Sequence, residues 1–312
     1  MSTPLTPELV RTGPDATTRT TVVRPGMCGP GSLFVGRIGD WTWDTVSAVC
    51  DTNAYTARDS RGAPTYLAFH YFHVRGSEST HVRGLTFGDL LRVDSRVFGF
   101  GSESVLTLHR IRRGTGAPAG VEPDEFFAFD DPDCLYAQNF NRWVVRGASG
   151  GNEDLRSASP VDFRHAHLPT LPGEHSPRRA HAELRALLTA EPPADERSRL
   201  TLDYPVDVSR DLNGVGLLYF AAYFSIVDWA LVRLWRHRGG SDAGFLGRVV
   251  LDQRIAYLGN ADAGAVLRVR VTREAGGDVP GADETVRAVV VDRDTGRPIA
   301  VAVQQVKTGG AA

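Results

Sequence analysis

Two glycine pairs stand where this chain could hold developing negative charge. They are Gly29-x-Gly31, followed by Ser32, and Gly214-x-Gly216, preceded by Asn213. Each leads into an apolar stretch of helical character. The first turn of a helix leaves backbone N–H groups unpaired, which suits an oxyanion, and glycine lets a ligand approach the backbone closely. The same glycines would equally serve as tight strand-to-helix turns, and only one copy need be catalytic. Other polar side chains could contact a ligand: Asn53 after the first helix, Ser104 and His109 on a strand after Gly101, and Asn139 and Asn141 in AQNFNRW. His109 reads better as a satisfied sheet histidine than as a base, and the asparagines suit turns or edges as well. Two signals are discounted. Gly147-Ala-Ser149-Gly-Gly151 fits the G-x-S-x-G string, but the loop-forming GNEDLRSASP follows where a nucleophile elbow requires a helix. His165, His167, His175 and His181 lie in or next to a Pro-rich stretch without metal-ligand spacing, so no metal is expected.

The elements that must position these groups come in two similar sets. Residues 86–111 read as two amphipathic strands in a row, entered by the turn Phe87-Gly88-Asp89. Leu91, Val93, Ser95 and Val97 share one face, with Arg92, Asp94 and Arg96 on the other. Val105 to Ile111 returns after a Gly-Phe-Gly break, as in a hairpin or bulge. Upstream lie a helix within MCGPGSLFVGRIGDWTWDTVSAV and the strand TYLAFHYFHV. The second set has a strand at 200–208, a turn at 211–214 and a long apolar helix at 215–236. Strands follow at 248–257, 265–272, 285–292 and 298–307, the last two joined by a short loop ending near Gly296. A helix apolar nearly all round is one buried by a sheet. A strand, one long helix and then a curled antiparallel sheet is the order of a hot-dog fold, and it occurs twice. The predicted architecture is an α+β double hot dog: two antiparallel sheets, each wrapped around a long central helix. The expected organisation is a flexible leader at 1–19, a first domain at 20–147, a linker with a short helix at 148–197, and a second domain at 198–312.

Bulk properties narrow the classes. At 312 residues and 42% hydrophobic content the chain is globular and large enough for two medium domains. A formal net charge of -2 gives no reason to expect nucleic acid or an anionic membrane as partner. No apolar run approaches the roughly 20 residues of a membrane helix, and the polar N-terminus lacks a secretory core. Cys28, Cys50 and Cys134 read as reduced thiols of a cytoplasmic protein.

The strings MCGPGSLFVGRIGDWTWDTVSAVCDTN, PTYLAFHYFHVRG, TFGDLLRVDSRVFGFGSESVLTLHRI, CLYAQNFNRWVVR and SPVDFRHAHLPTLP resemble the leinamycin-type bifunctional acyltransferase/decarboxylases of polyketide biosynthesis. The resemblance implies a double hot dog that takes methylmalonyl-CoA, decarboxylates it and loads propionyl onto an acyl carrier protein. It also implies a functional tyrosine, which matches Tyr66, with Tyr55 and Tyr71 as neighbouring alternatives. Loss of CO2 from such a thioester leaves an enolate, so the site needs an oxyanion donor and a poorly solvated carboxylate. Strand alternation puts Tyr66, Ala68, His70 and Phe72 on one face. A phenol of ordinary pKa, about 10, needs a base or strong donors to act as a nucleophile. His70 lies about 13 Å along the strand at roughly 3.3 Å per residue. Tyr66 is thus expected either to carry the acyl group or to hydrogen-bond the substrate, with Gly31, Ser32, Asn53, His70, Ser104, Asn213 and Gly214 as substrate-binding candidates. No cofactor is expected beyond the coenzyme A thioester as substrate. A homodimer through sheet edges or helices is expected. The rivals are a hot-dog thioesterase and a non-catalytic acyl-carrier binding module.

Overall fold

A computed structural model of the chain describes residues 8–116, 119–191 and 195–309. The first half contains β1 (Glu8–Arg11), β2 (Ala16–Val22), α1 (Gly31–Val49), β3 (Tyr66–Arg75), β4 (Leu90–Gly99), β5 (Ser104–Arg113), α2 (Pro123–Ala128) and β6 (Cys134–Arg146). A connecting stretch carries β7 (Leu155–Ser157) and α3 (Pro177–Ala186). The second half contains β8 (Arg199–Pro205), α4 (Ala222–His237), α5 (Asp242–Leu246), β9 (Val249–Tyr257), β10 (Val266–Ala275), β11 (Glu284–Asp292) and β12 (Pro298–Lys307).

The two copies correspond to each other strand for strand. The first copy runs β2-β4-β5-β6-β3 across the sheet and the second runs β9-β12-β11-β10-β8, its mirror order. Antiparallel pairing of β3 with β9, from Tyr71 opposite Ala256 to Arg75 opposite Asp252, joins the copies into one continuous 12-stranded sheet. The chain is therefore an α+β double hot dog whose two sheets meet edge to edge. Phe34, Val35, Ile38 and Trp41 of α1 pack with Phe224, Val227, Leu231 and Leu234 of α4 in a single core lined by both halves of the sheet.

Three expectations change. Residues 8–19 form β1 and part of β2 rather than a leader, while residues 1–7 lie outside the described residues. The inward side chains of β2 are Thr17, Arg19 and Thr21, so hydrophobic periodicity gives no strand signal. Thr17 instead shares a hydrogen bond with Thr45 (3.2 Å), and Arg19 pairs with Asp44 (2.6 Å). The second central helix begins at Ala222, not at residue 215. The Asn213 side-chain oxygen accepts from the N–H groups of Val215 and Leu217 (3.1 and 3.0 Å), and Gly216 adopts φ of 75°, so the segment is a closed turn. Lastly, the β3–β6 register shifts between Phe69 and Tyr71, leaving His70 as the bulged residue. Phe72 therefore joins Phe69 in the core, and the expected common face of Tyr66, His70 and Phe72 does not exist.

Candidate active site

A cavity of about 800 Å³ opens between the middle of α1, the loop after it, the start of β3, the end of β6 and the 213–220 turn. Two helix glycines make room for its wall. A Cβ on Gly39 would lie 2.1 Å from Phe220 Cζ, and one on Gly36 would lie 3.1 Å from the Tyr219 hydroxyl. Only glycine lets Phe220 lie flush against α1, although glycine within a helix costs roughly 0.5–1 kcal/mol relative to alanine.

Tyr66 lines this cavity. Its ring meets Trp43 edge-on at 4.8 Å, and Trp43 is itself anchored by donating to the Leu67 carbonyl (3.1 Å). Asn213 Nδ2 donates to the Tyr66 hydroxyl (3.1 Å). Because the Asn213 oxygen is already held by two backbone N–H groups, its amide can present only its NH2 to the tyrosine. The Tyr66 O–H proton thus remains for a ligand. Burial pushes the Tyr66 pKa well up, the Asn213 hydrogen bond opposes this, and the nearby Tyr219 and Asp40 add to the rise. A protonated phenol aimed into a cavity is a hydrogen-bond donor.

The other lining groups are few and distinct. Asp40 is the cavity's one carboxyl among the described residues; desolvation raises its pKa, Arg37 opposes the rise and Asp44 adds to it. The Thr65 hydroxyl is buried and has no hydrogen-bond partner among the described residues. Burial holds the Tyr219 pKa up at about 12. Arg58 and Arg146 stand at the mouth. Arg146 also donates to Asn152 Oδ1 (2.9 Å) and to the Val215 carbonyl (2.6 Å), fastening the turn over the cavity.

Of the residues expected from sequence, Tyr66, Asn213 and Gly214 come together here, and Gly31, Ser32, Asn53, His70 and Ser104 do not. Gly31 and Ser32 do open α1, but that end meets α4, where Ser225 donates to Ser32 Oγ (2.8 Å). Gly214 sits in the turn rather than at a helix start, because α4 begins later. Asn53 is exposed and its side chain accepts from Tyr55 N–H (3.0 Å), closing the turn after α1. His70 faces the other side of the sheet. Ser104 is 2% exposed and accepts a long bond from Arg142 Nε (3.4 Å). His109 is held between Ser95 Oγ (2.7 Å) and Thr42 Oγ1 (2.9 Å), and burial pulls its pKa down to about 3. Of the alternative tyrosines, Tyr55 lines the rim but commits its hydroxyl to Asp44 (2.7 Å), and Tyr71 is buried in the core on the far side of the sheet. Sequence reasoning missed Asp40, Trp43, Thr65 and Tyr219. Gly36 and Gly39, two glycines one turn apart inside a helix, mark this face of α1, but in the sequence they show only as a helix-propensity cost.

A family model described as the LnmK N-terminal Hot Dog Fold domain matches residues 18–192. A search of the curated proteins found no match. Among solved structures, a Lactobacillus plantarum protein described as an oleoyl thioesterase superposes with a TM-score of 0.61 at 11% identity, covering 95% of this chain and 97% of that one. The 12:0-ACP thioesterase of Umbellularia californica gives a TM-score of 0.55 at 12% identity, covering 94% and 98%. An acyl-ACP thioesterase of Bacteroides thetaiotaomicron gives 0.52 at 9% identity, covering 94% and 98%. At these identities the structural likeness establishes the double hot-dog fold.

Proposed function

Because the chain belongs to the LnmK N-terminal hot-dog family, we propose that its cavity takes methylmalonyl-CoA, removes the carboxylate as CO2 and passes propionyl to an acyl carrier protein. The observation that carries this reading is the Tyr66 hydroxyl, oriented by Asn213 and directed into the cavity as a donor. The bond from the α-carbon to the carboxylate breaks, and its electron pair moves into the thioester carbonyl as an enolate. Tyr66 O–H stabilises the enolate oxygen, with the unpartnered Thr65 hydroxyl as a second donor. Asp40, the carboxyl that lines the cavity and pairs with Arg37 (3.2 Å), relays a proton from solvent to the α-carbon. The carrier's thiol then displaces the coenzyme A thiol from the propionyl carbonyl. The thioester and carboxylate supply the reactive groups, so the proposed sequence calls on no metal or redox cofactor. Tyr66 acts here as a donor and not as an acyl carrier: no base is hydrogen-bonded to it among the described residues, and burial opposes its ionisation.

Intact-mass spectrometry with methylmalonyl-CoA and a holo carrier protein tests this. Wild type should load propionyl on the carrier, and Tyr66→Phe should lose that product. Free acid without loading would replace the proposal with a thioesterase, and no turnover would leave a binding module.

A further inference from the structure

On the opposite face of the sheet from the Tyr66 cavity lies a second concavity of about 420 Å³. Its polar lining is basic: His70, Arg142, Arg178, His181, Arg185 and Arg297, with no acidic residue among the described residues. The fold brings these together from four places. The bulge in β3 supplies His70, β6 supplies Arg142, and the turn before β12 supplies Arg297. Helix α3 supplies the rest at 178, 181 and 185, a spacing that puts all three on one helix face. The neighbouring Arg179 pairs instead with Glu183 (3.0 Å) on the helix exterior.

None of the four lining arginines forms an ion pair among the described residues. Arg142 reaches Ser104 Oγ (3.4 Å), Arg178 the Phe100 carbonyl (3.2 Å) and Arg297 the Asn260 carbonyl (2.7 Å), while the Arg185 side chain makes no hydrogen bond among the described residues. Most other arginines of this chain find a carboxylate, as Arg83, Arg96, Arg254 and Arg268 do. The chain's net charge is -2, so this convergence is a local arrangement and not a reflection of overall composition. Like charges gathered without counter-ions repel, and a multivalent anion relieves that repulsion while using the forked guanidinium donors. The field is felt locally: burial, then Arg142 and His181, pull the His70 pKa down to about 4.

We propose that this basin is a binding site for a phosphate-rich anion carrying two or more phosphate charges. The site stands whatever reaction the Tyr66 cavity performs. Two sources share the chemistry: the nucleotide end of coenzyme A, or a separate phosphorylated small molecule.

Isothermal titration calorimetry of the full chain with inorganic pyrophosphate tests the site. Wild type should bind, with affinity falling as NaCl is raised. Arg185→Gln and Arg297→Gln should each weaken binding about tenfold or more, as expected for lost charge-assisted hydrogen bonds, while thermal melts report that both variants are folded. Tyr66→Phe should bind as wild type does. Displacement of pyrophosphate by coenzyme A, with the same variants weakening both, assigns the basin to the nucleotide end. Simultaneous binding of the two assigns it to a separate phosphorylated ligand. Absence of pyrophosphate binding at millimolar concentration, or equal affinity in wild type, Arg178→Gln and Arg185→Gln, overturns the proposal.

Discussion

At the scale of single residues, the Tyr66–Asn213 contact separates two roles that the sequence leaves open. A tyrosine nucleophile needs a partner that takes its proton, and the partner found here donates one. Removing one donor to an enolate oxygen typically costs about 100- to 1,000-fold in kcat. Tyr66→Phe is therefore expected to lose turnover on that scale with KM little changed, measured by steady-state release of the coenzyme A thiol. Asn213→Ala removes its hydrogen bond to Tyr66 together with the two that hold the 213–217 turn, so it should cost more than the roughly 3- to 10-fold of one neutral hydrogen bond worth about 0.5–1.5 kcal/mol. A stable propionyl adduct on Tyr66, seen by peptide mass spectrometry, would overturn the donor assignment. Tyr66 was legible through family resemblance, and Asn213 through the glycines after it, which read as a helix start and prove to be a turn. Thr65 and Asp40 were not: a threonine before a strand and an aspartate on a helix are ordinary until their surroundings are known.

At the scale of elements, α1 is both core helix and cavity wall. Its glycines could be read from sequence only as a propensity cost, because the Phe220 ring that requires Gly39 lies far along the chain. Gly39→Ala would drive a methyl group into that ring. Overpacking of this kind costs about 1–3 kcal/mol, so a lowered melting temperature is expected in differential scanning calorimetry. Turnover should also fall as Phe220 moves into the cavity, whereas Gly26→Ala, with nothing within 4 Å, should leave both unchanged. The strands of the second copy were legible because their inward faces are aliphatic, as in Val286, Ala288 and Val290 of β11. β2 escaped because its inward face is polar, and the His70 bulge escaped because alternation is assumed unbroken. The start of α4 was read too early because apolar residues continue through a turn that side-chain hydrogen bonds hold out of the helix.

At the scale of the whole molecule, the β3–β9 junction carries a buried charge cluster. Asp252 is fully buried, bonded to His73 Nε2 (2.7 Å) and Arg254 Nε (2.8 Å). Burial alone would raise its pKa, but His73 and Arg254 outweigh burial and set it at about 2. An aspartate in the unfolded chain titrates near about 3.9. The folded value is the lower one, so Asp252 stabilises the fold above about pH 4, and this contribution fades as pH falls toward about 2. Its size is on the order of 2 kcal/mol. Urea unfolding should show stability falling across that window, and Asp252→Asn should flatten the fall while lowering stability at neutral pH. The two-copy plan was legible because the same succession of elements recurs; the seam was not, because a strand's edge partner leaves no mark in its own pattern. The pairing of Tyr66 with Asn213 spans the two copies, 147 positions apart. Neither copy can then drift freely at this contact. A loss suffered in the 213–217 turn is to be repaired in β3, so suppressor mutations selected against Asn213→Ala should fall in the other repeat, inherited as a matched set.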